Sequence, residues 1–381
     1  MPEVHGSCAA PFGAMREVLA ANLACGEDLG ASVAVIVKGQ TVVDLWGGWA
    51  DTERTRPWGE HTITNVWSTT KTMTNLTALV LADRGLIDLD APVARYWPEF
   101  AANGKQGVLV RDLLAHTSGV SAWAQPVTLE DIYDLPKSTA MLAAQPLWWP
   151  RGTASGYHAF NQGHLVGEVV RRVTGKTLGR YFAEELAGPL DADFHIGLAA
   201  EHDHRVSNIV PPPPLPFDLD SLDRDSVMYK TFTGPPPDPT AAWTSTWRRA
   251  EIGAANGHGN ARSVARVQAL VSNGGLIDGV RLLSPSTIAR IFEEQSNGID
   301  LAIGIPLRFG IGYALPEAVT MPGLPAGRVC YWGGWGGSLI VNDVDRGMTI
   351  AYMMNKMAPG IIGGPRSAAL VSAAYAALKH A

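Results

Sequence analysis

The stretch "ASVAVIVKGQTVVDLWGGWAD", residues 31–51, decides the fold. Two runs rich in β-branched residues, 31–37 and 41–46, flank Lys38-Gly39-Gln40. A short glycine-bearing break between such runs is a hairpin signal. Tight turns join only antiparallel neighbours, so the sheet that begins here is antiparallel. The far end of the chain carries the same pattern. "GRVCYWGGWGGSLIVNDVDRGMTIAYMMNK", residues 327–356, reads as strands around 328–332, 337–342 and 348–354, with Asp345-Arg346-Gly347 turning the last pair.

Helices flank these hairpins. "FGAMREVLAANLAC" (12–25) sets Phe12, Met15, Val18, Leu19 and Leu23 at helical spacing, and the tail "RSAALVSAAYAALKHA" is alanine-rich and amphipathic. Strand alternation is absent from about 68 to 250. Thr72–Arg84 reads as a helix stopping at Gly85, "NQGHLVGEVVRRVTG" (161–175) as a second and "LGRYFAEELAGPL" (178–190) as a third. "VPPPPLPF" (210–217) and "GPPPDP" (234–239) are stiff, extended connectors or pocket walls. The expected fold class is therefore α+β, of α/β sandwich type. An antiparallel sheet of five or more strands is flanked by the terminal helices and interrupted by a mainly helical insertion. The expected division is 1–67 with 250–381 for the sheet and 68–249 for the helical part, with the active site between them.

Bulk properties narrow the function. Of 381 residues, 46% are hydrophobic and 17% charged, which suits a packed core. Lys+Arg 30 against Asp+Glu 36 gives a net charge of −6 without a basic block, arguing against nucleic acid as partner. Cys8, Cys25 and Cys330 match no zinc spacing and read as reduced thiols. The N-terminus lacks a signal-peptide pattern, and no apolar run reaches the roughly 18 residues of a membrane span. A cytoplasmic protein that does not enter a membrane is the expectation; oligomeric state is open.

Chemistry enters at "NVWSTTKTMTNL", residues 65–76. A serine hydroxyl needs a base within hydrogen-bond reach to act as a nucleophile. Ser68 and Lys71 are three residues apart, and on a helix such residues share a face. If Ser68 opens the helix, the positive helix end and apolar neighbours both disfavour a charged lysine, leaving an amine able to take the serine proton. S-x-x-K alone is a weak signal. Tyr157, on a glycine-flanked loop before the 161–175 helix, is a candidate proton shuttle to the leaving group. "YWGGWGGS" (331–338) offers a glycine-rich strand end where substrate can approach the backbone, with the Trp335 and Ser68 N–H groups as oxyanion donors. No G-x-S-x-G elbow occurs.

These residues carry a resemblance. Ser68-Thr69-Thr70-Lys71, Tyr157 and Trp332-Gly333-Gly334 stand in the order and approximate spacing of the penicillin-recognising serine enzymes. With "GGWAD", "LLAHTSGV" (113–120) and "PRGTASGYH" (150–158), the chain resembles the serine β-lactamase-like and penicillin-binding-protein-type superfamily. It is most similar there to the family VIII carboxylesterases, relatives of class C β-lactamases. The resemblance implies a β-lactamase/transpeptidase-like fold, an acyl-enzyme mechanism on Ser68, Lys71 and Tyr157, and no cofactor or metal. It places Trp332, Gly333, Gly334, His258 and Trp123 in the substrate pocket. Two departures bear on specificity. Tyr157-His158-Ala159 lacks the asparagine of Tyr-x-Asn, while Asn161 fits only a shifted register without a tyrosine. Trp332-Gly333-Gly334 replaces Lys-Thr-Gly, removing the cation that meets a substrate carboxylate.

The function expected is hydrolysis of a small neutral ester, short-chain or aryl. An acyltransferase, a β-lactamase or amidase, and a non-catalytic binding module are the alternatives. Trp148, Trp149, Trp243 and Trp247 are candidates for an apolar acyl pocket. "EHDHR" (201–205) lacks a third ligand group at metal spacing, and His164 with Glu168 reads as a helix-surface pair.

Overall fold

The computed structural model describes residues 3–214 and 219–379. Residues 215–217, the end of the first proline-rich run, lie outside the described residues. One sheet organises the chain. Its strands are β1 (Val4–Cys8), β2 (Gly30–Val37), β3 (Gln40–Gly48), β4 (Ser296–Ile299), β5 (Pro306–Phe309), β6 (Ala314–Leu315), β7 (Val329–Gly333), β8 (Leu339–Asp343) and β9 (Met348–Met354). The nine strands lie in the order β1-β3-β2-β9-β8-β7-β6-β5-β4, every pair antiparallel.

The β2–β3 turn is tighter than the sequence suggested. Val37 pairs with Gln40, so only Lys38 and Gly39 turn, at φ 49° and 79°. Positive φ at both central residues is the two-residue turn whose twist matches the flanking strands. The chain ends meet at the sheet centre, where β2 pairs with β9 from Val37↔Met348 to Ala31↔Met354. β9 is buried along its whole length because both faces are covered. Adjacent residues of β8 show the two sides: Asn342 donates to Gln268 of one helix (3.1 Å), while Asp343 accepts from Tyr375 of another (3.0 Å). The first helix is α4 (Ala261–Ser272); the second is α5 (Pro365–Ala377), which packs beside α1 (Gly13–Cys25).

Between β3 and β4 the chain is mainly helical. α2 (Thr70–Asp83) is buried on all sides from Thr70 to Leu81, and its polar residues find partners inside, as Thr74 Oγ1 does on Gly253 O (2.5 Å) and Asn75 Nδ2 on Gly312 O (2.7 Å). α3 (Gln162–Thr174) ends at Gly175 in the left-handed region (φ 73°). The third expected helix divides: Leu178–Phe182 is α-helical and Ala183–Ala187 is a π turn. No described helix is long and apolar enough to cross a membrane.

Candidate active site

Ser68 sits in a 3₁₀ turn, Trp67–Thr69, that leads directly into α2. Trp67 adopts φ 51°, a left-handed conformation that a bulky residue holds only when its surroundings demand it. Those surroundings are explicit. Thr64–Asn65 pairs with His258–Gly259, Val66 N–H donates to Gly257 O (2.9 Å), and Thr70 Oγ1 bridges Trp67 O (2.6 Å) and Gly257 N–H (2.8 Å). The Trp67 ring packs against Trp247 (centroids 5.6 Å) and edge-on against Trp335 (5.1 Å).

Lys71 Nζ lies 3.2 Å from Ser68 Oγ. It also donates to Ala159 O (2.7 Å) and Ala254 O (2.8 Å). Lys71 is 1% exposed with no carboxylate paired to it among the described residues, and burial holds its pKa well below the usual lysine value. A neutral amine has two N–H groups and one lone pair. The two carbonyls take the N–H groups, which leaves the lone pair for the Ser68 hydroxyl proton.

The Tyr157 ring packs against Lys71, its centroid 4.6 Å from Nζ. Its hydroxyl and the Trp332 indole N–H are both buried without a hydrogen-bond partner, with ring centroids 5.2 Å apart. Burial holds the Tyr157 pKa above the ordinary tyrosine value; the Ser68 and Trp332 side chains pull it down, and the Asp300 carboxylate adds to the rise. Such contacts in an unliganded site commonly tighten when substrate arrives.

β7 brings the third component. Gly334 passes so close to the serine turn that a Cβ there would overlap Val66 O and Ser338 Oγ and come within 3.2 Å of Ser68 N. Ser338 fastens this approach: its hydroxyl donates to Val66 O (2.9 Å) and accepts from Thr69 Oγ1 (2.9 Å). Neither the Trp335 nor the Ser68 N–H donates to another group among the described residues. Unpaired N–H groups on the serine turn and just past the end of β7 are the kind of donor an oxyanion needs.

Ser68, Lys71, Tyr157, Trp332, Gly334 and Trp335 are thus neighbours. Trp332 is almost wholly buried and packs behind Tyr157 against Phe309 (5.3 Å) and His116 (6.0 Å). Gly333 is covered by residues 362–363.

Two expected pocket residues fall elsewhere. His258 is fully buried: its Nδ1 bonds Asn256 O (2.8 Å), and Arg248, His195 and Asp203 are its charged neighbours. Its backbone pairs with Asn65 ahead of the serine turn. Trp123 is core; its indole donates to Ser138 O (2.9 Å) and its ring stands edge-on to His164 (4.8 Å). His164 is itself buried and donates to Ile132 O (2.7 Å), while Glu168 pairs with Arg171 and Arg172, so the expected surface pair does not form. Of the four tryptophans considered for an acyl pocket, Trp247 underlies the serine turn and Trp243 is exposed.

Sequence reasoning missed the Ala159 and Ala254 carbonyls, Trp67, Ser338, Asp300 and His116. A carbonyl belongs to every residue and leaves no signature. His116 stood within "LLAHTSGV", and its left-handed φ of 61° was the hidden part.

The profile of the family described as Beta-lactamase matches residues 18–373. "Esterase/beta-lactamase LipL" of Mycobacterium tuberculosis (strain ATCC 25618 / H37Rv) is 36% identical over 343 residues, 86% of this chain and 77% of that protein. The crystal structure of a family VIII carboxylesterase superposes with TM-score 0.93 at 42% identity, covering 98% of this chain and 100% of its own. A penicillin-binding protein homologue from Caulobacter crescentus superposes with TM-score 0.92 at 37% identity, with coverage of 98% and 100%.

Proposed function

The chain belongs to the beta-lactamase family, and on that premise we propose that it hydrolyses carboxylic esters through an acyl-enzyme on Ser68. The observation that carries the reading is Lys71 Nζ, 3.2 Å from Ser68 Oγ and bonded to two backbone carbonyls, in a burial that disfavours its charged form. Lys71 accepts the proton as Oγ attacks the ester carbonyl. The Ser68 and Trp335 N–H groups hold the negative oxygen of the tetrahedral intermediate. Tyr157, which burial keeps protonated, passes its proton to the departing alkoxide and recovers one from Lys71. Water then attacks the acyl group and gives its proton to the same pair, which returns a proton to Ser68 Oγ as it leaves, and the carboxylic acid is released.

The substrate is a small ester without a carboxylate beside the scissile bond. An indole occupies the strand position where a lysine would meet that carboxylate. Arg366, which reaches the 336–337 turn, is held in a buried pair with Asp28 (2.6 Å). Relatives named as esterases support this reading.

Turnover of a p-nitrophenyl ester series of graded acyl length tests it. Ser68→Ala and Lys71→Ala are each expected to lose about 10³-fold or more in kcat, the range for removing a nucleophile or its base. Full activity in either variant removes the mechanism. Nitrocefin turnover far faster than ester turnover would move the substrate class to β-lactams.

A further inference from the structure

The Tyr157 backbone is held at each of three successive N–H groups. Gly156 N–H donates to His116 O (2.9 Å), Tyr157 N–H to Asp300 Oδ1 (3.0 Å) and His158 N–H to His116 Nδ1 (3.1 Å). His116 belongs to the segment after residues 113–114, part of the same helical region as Tyr157. Asp300 does not: it comes from the turn joining β4 to β5, on the edge of the sheet.

That turn closes on itself. Asp300 N–H donates to Ile305 O (3.0 Å) and Gly304 N–H to Asp300 O (2.9 Å). Asp300 Oδ1 accepts the N–H groups of Ala302 (2.9 Å) and Ile303 (3.1 Å), the ordinary behaviour of an aspartate capping its own turn. The third bond on the same oxygen, from Tyr157, is foreign to the turn. Beside it Leu301 N–H donates to Ser155 O (2.8 Å), so turn and tyrosine segment are joined by two rungs. Asp300 is fully buried, and its second oxygen, Oδ2, makes no hydrogen bond of good geometry, with the Ser155 side chain as its polar neighbour. A turn does not need that depth. A fully buried carboxylate is costly, and its bond to Tyr157 outside the turn sets this residue apart from a plain cap.

We propose that Asp300 is a positioning residue for Tyr157: its Oδ1 pins the tyrosine backbone to the sheet edge, so that the hydroxyl is presented to Ser68 and the leaving group. The inference rests on the reading of Tyr157 as proton shuttle given above. The side chain makes the link because a backbone carbonyl at this place would have to leave its own turn.

The two duties of Oδ1 can be separated. Asp300→Ser retains a hydroxyl that caps its own turn but is one bond too short for Tyr157 N–H. Asp300→Asn retains an acceptor at the Oδ1 position and removes the charge. Each is measured with a p-nitrophenyl ester, alone and combined with Tyr157→Phe, alongside its urea midpoint. Asp300→Ser is expected to lower kcat about 100-fold with KM within about 2-fold, the usual penalty for a reacting group displaced by around 1 Å. Asp300→Asn is expected to recover most of that loss. Combined with Tyr157→Phe, the Asp300→Ser loss is expected to shrink below about 3-fold, because residues acting through one group are not additive.

The proposal is overturned if Asp300→Ser costs the same factor with and without the tyrosine hydroxyl. It is overturned equally if Asp300→Asn is as impaired as Asp300→Ser, or if the kcat loss merely follows the urea midpoint. A fully active Tyr157→Phe single variant would instead remove the role of Tyr157, and would be seen before any Asp300 variant is consulted.

Discussion

At Lys71 two backbone carbonyls and one hydroxyl surround an amine with three N–H groups when charged and two when neutral. Burial decides between the forms, lowering the pKa far below the usual lysine range. The sign for activity follows. Below the depressed pKa the ammonium has no lone pair, so kcat/KM is expected to fall as pH falls through it and to level off above. The alkaline limb belongs to Tyr157, whose pKa is raised, so loss of its proton is expected only above about pH 10. A pH–rate profile of kcat/KM checks both limbs. Lys71→Arg keeps a cation that cannot give up its proton, and is expected to lose about 10³-fold or more in kcat. An Arg variant with near-native turnover would mean that the charge, not the lone pair, is what Ser68 needs. The three-residue spacing behind this argument was legible in "NVWSTTKTMTNL"; the carbonyls that set the lysine's state were not, since they come from segments 88 and 183 residues away.

Among the elements, the serine turn and the end of β7 depend on one another. Ser338 joins them through Val66 O and Thr69 Oγ1, and Gly334 lets them approach. Gly334→Ala is expected to lower kcat about 100-fold and to destabilise by about 1–3 kcal/mol, because the methyl group would overlap both the Ser338 hydroxyl and the Val66 carbonyl of the serine turn. Ester kinetics with a urea titration test this; an unchanged kcat would show that the strand end can withdraw without disturbing the Ser68 N–H. The glycines of "YWGGWGGS" announced a close approach, but not which one meets the serine. Strand legibility followed the same division. β2, β3, β7, β8 and β9 carry alternation or β-branched runs. β1, with Gly6 at φ 95°, and β4 to β6, as short as Ala314–Leu315, take their pairing from neighbours. The sequence-based reading therefore foresaw the sheet's centre and stopped short of the edge that carries Asp300.

Across the whole molecule, closing β2 against β9 draws segments more than 300 residues apart into one core, and histidines are enclosed with it. His116, His158, His164 and His258 are all buried, and burial lowers each pKa: to about 3 for His158 and His258, to about 4 for His164, and well below the usual value for His116. Each binds its proton less readily in the folded chain than in the unfolded one, whose value is about 6.5. The unfolded state therefore holds more protons below that pH, and stability declines as pH drops from about 6.5 toward 4, by about 1–2 kcal/mol per histidine at pH 5. Asp28 and Asp300 act oppositely, since burial raises their pKa values and the folded state gains protons there first. Two acids offset only part of four histidines. His164→Gln isolates one contribution, because a glutamine amide can still donate to Ile132 O, as His164 Nε2 does, but cannot titrate. Its urea midpoint is expected to change less between pH 7 and pH 5 than that of the unmodified chain. An identical change in both would mean that the enclosed imidazoles do not govern acid sensitivity.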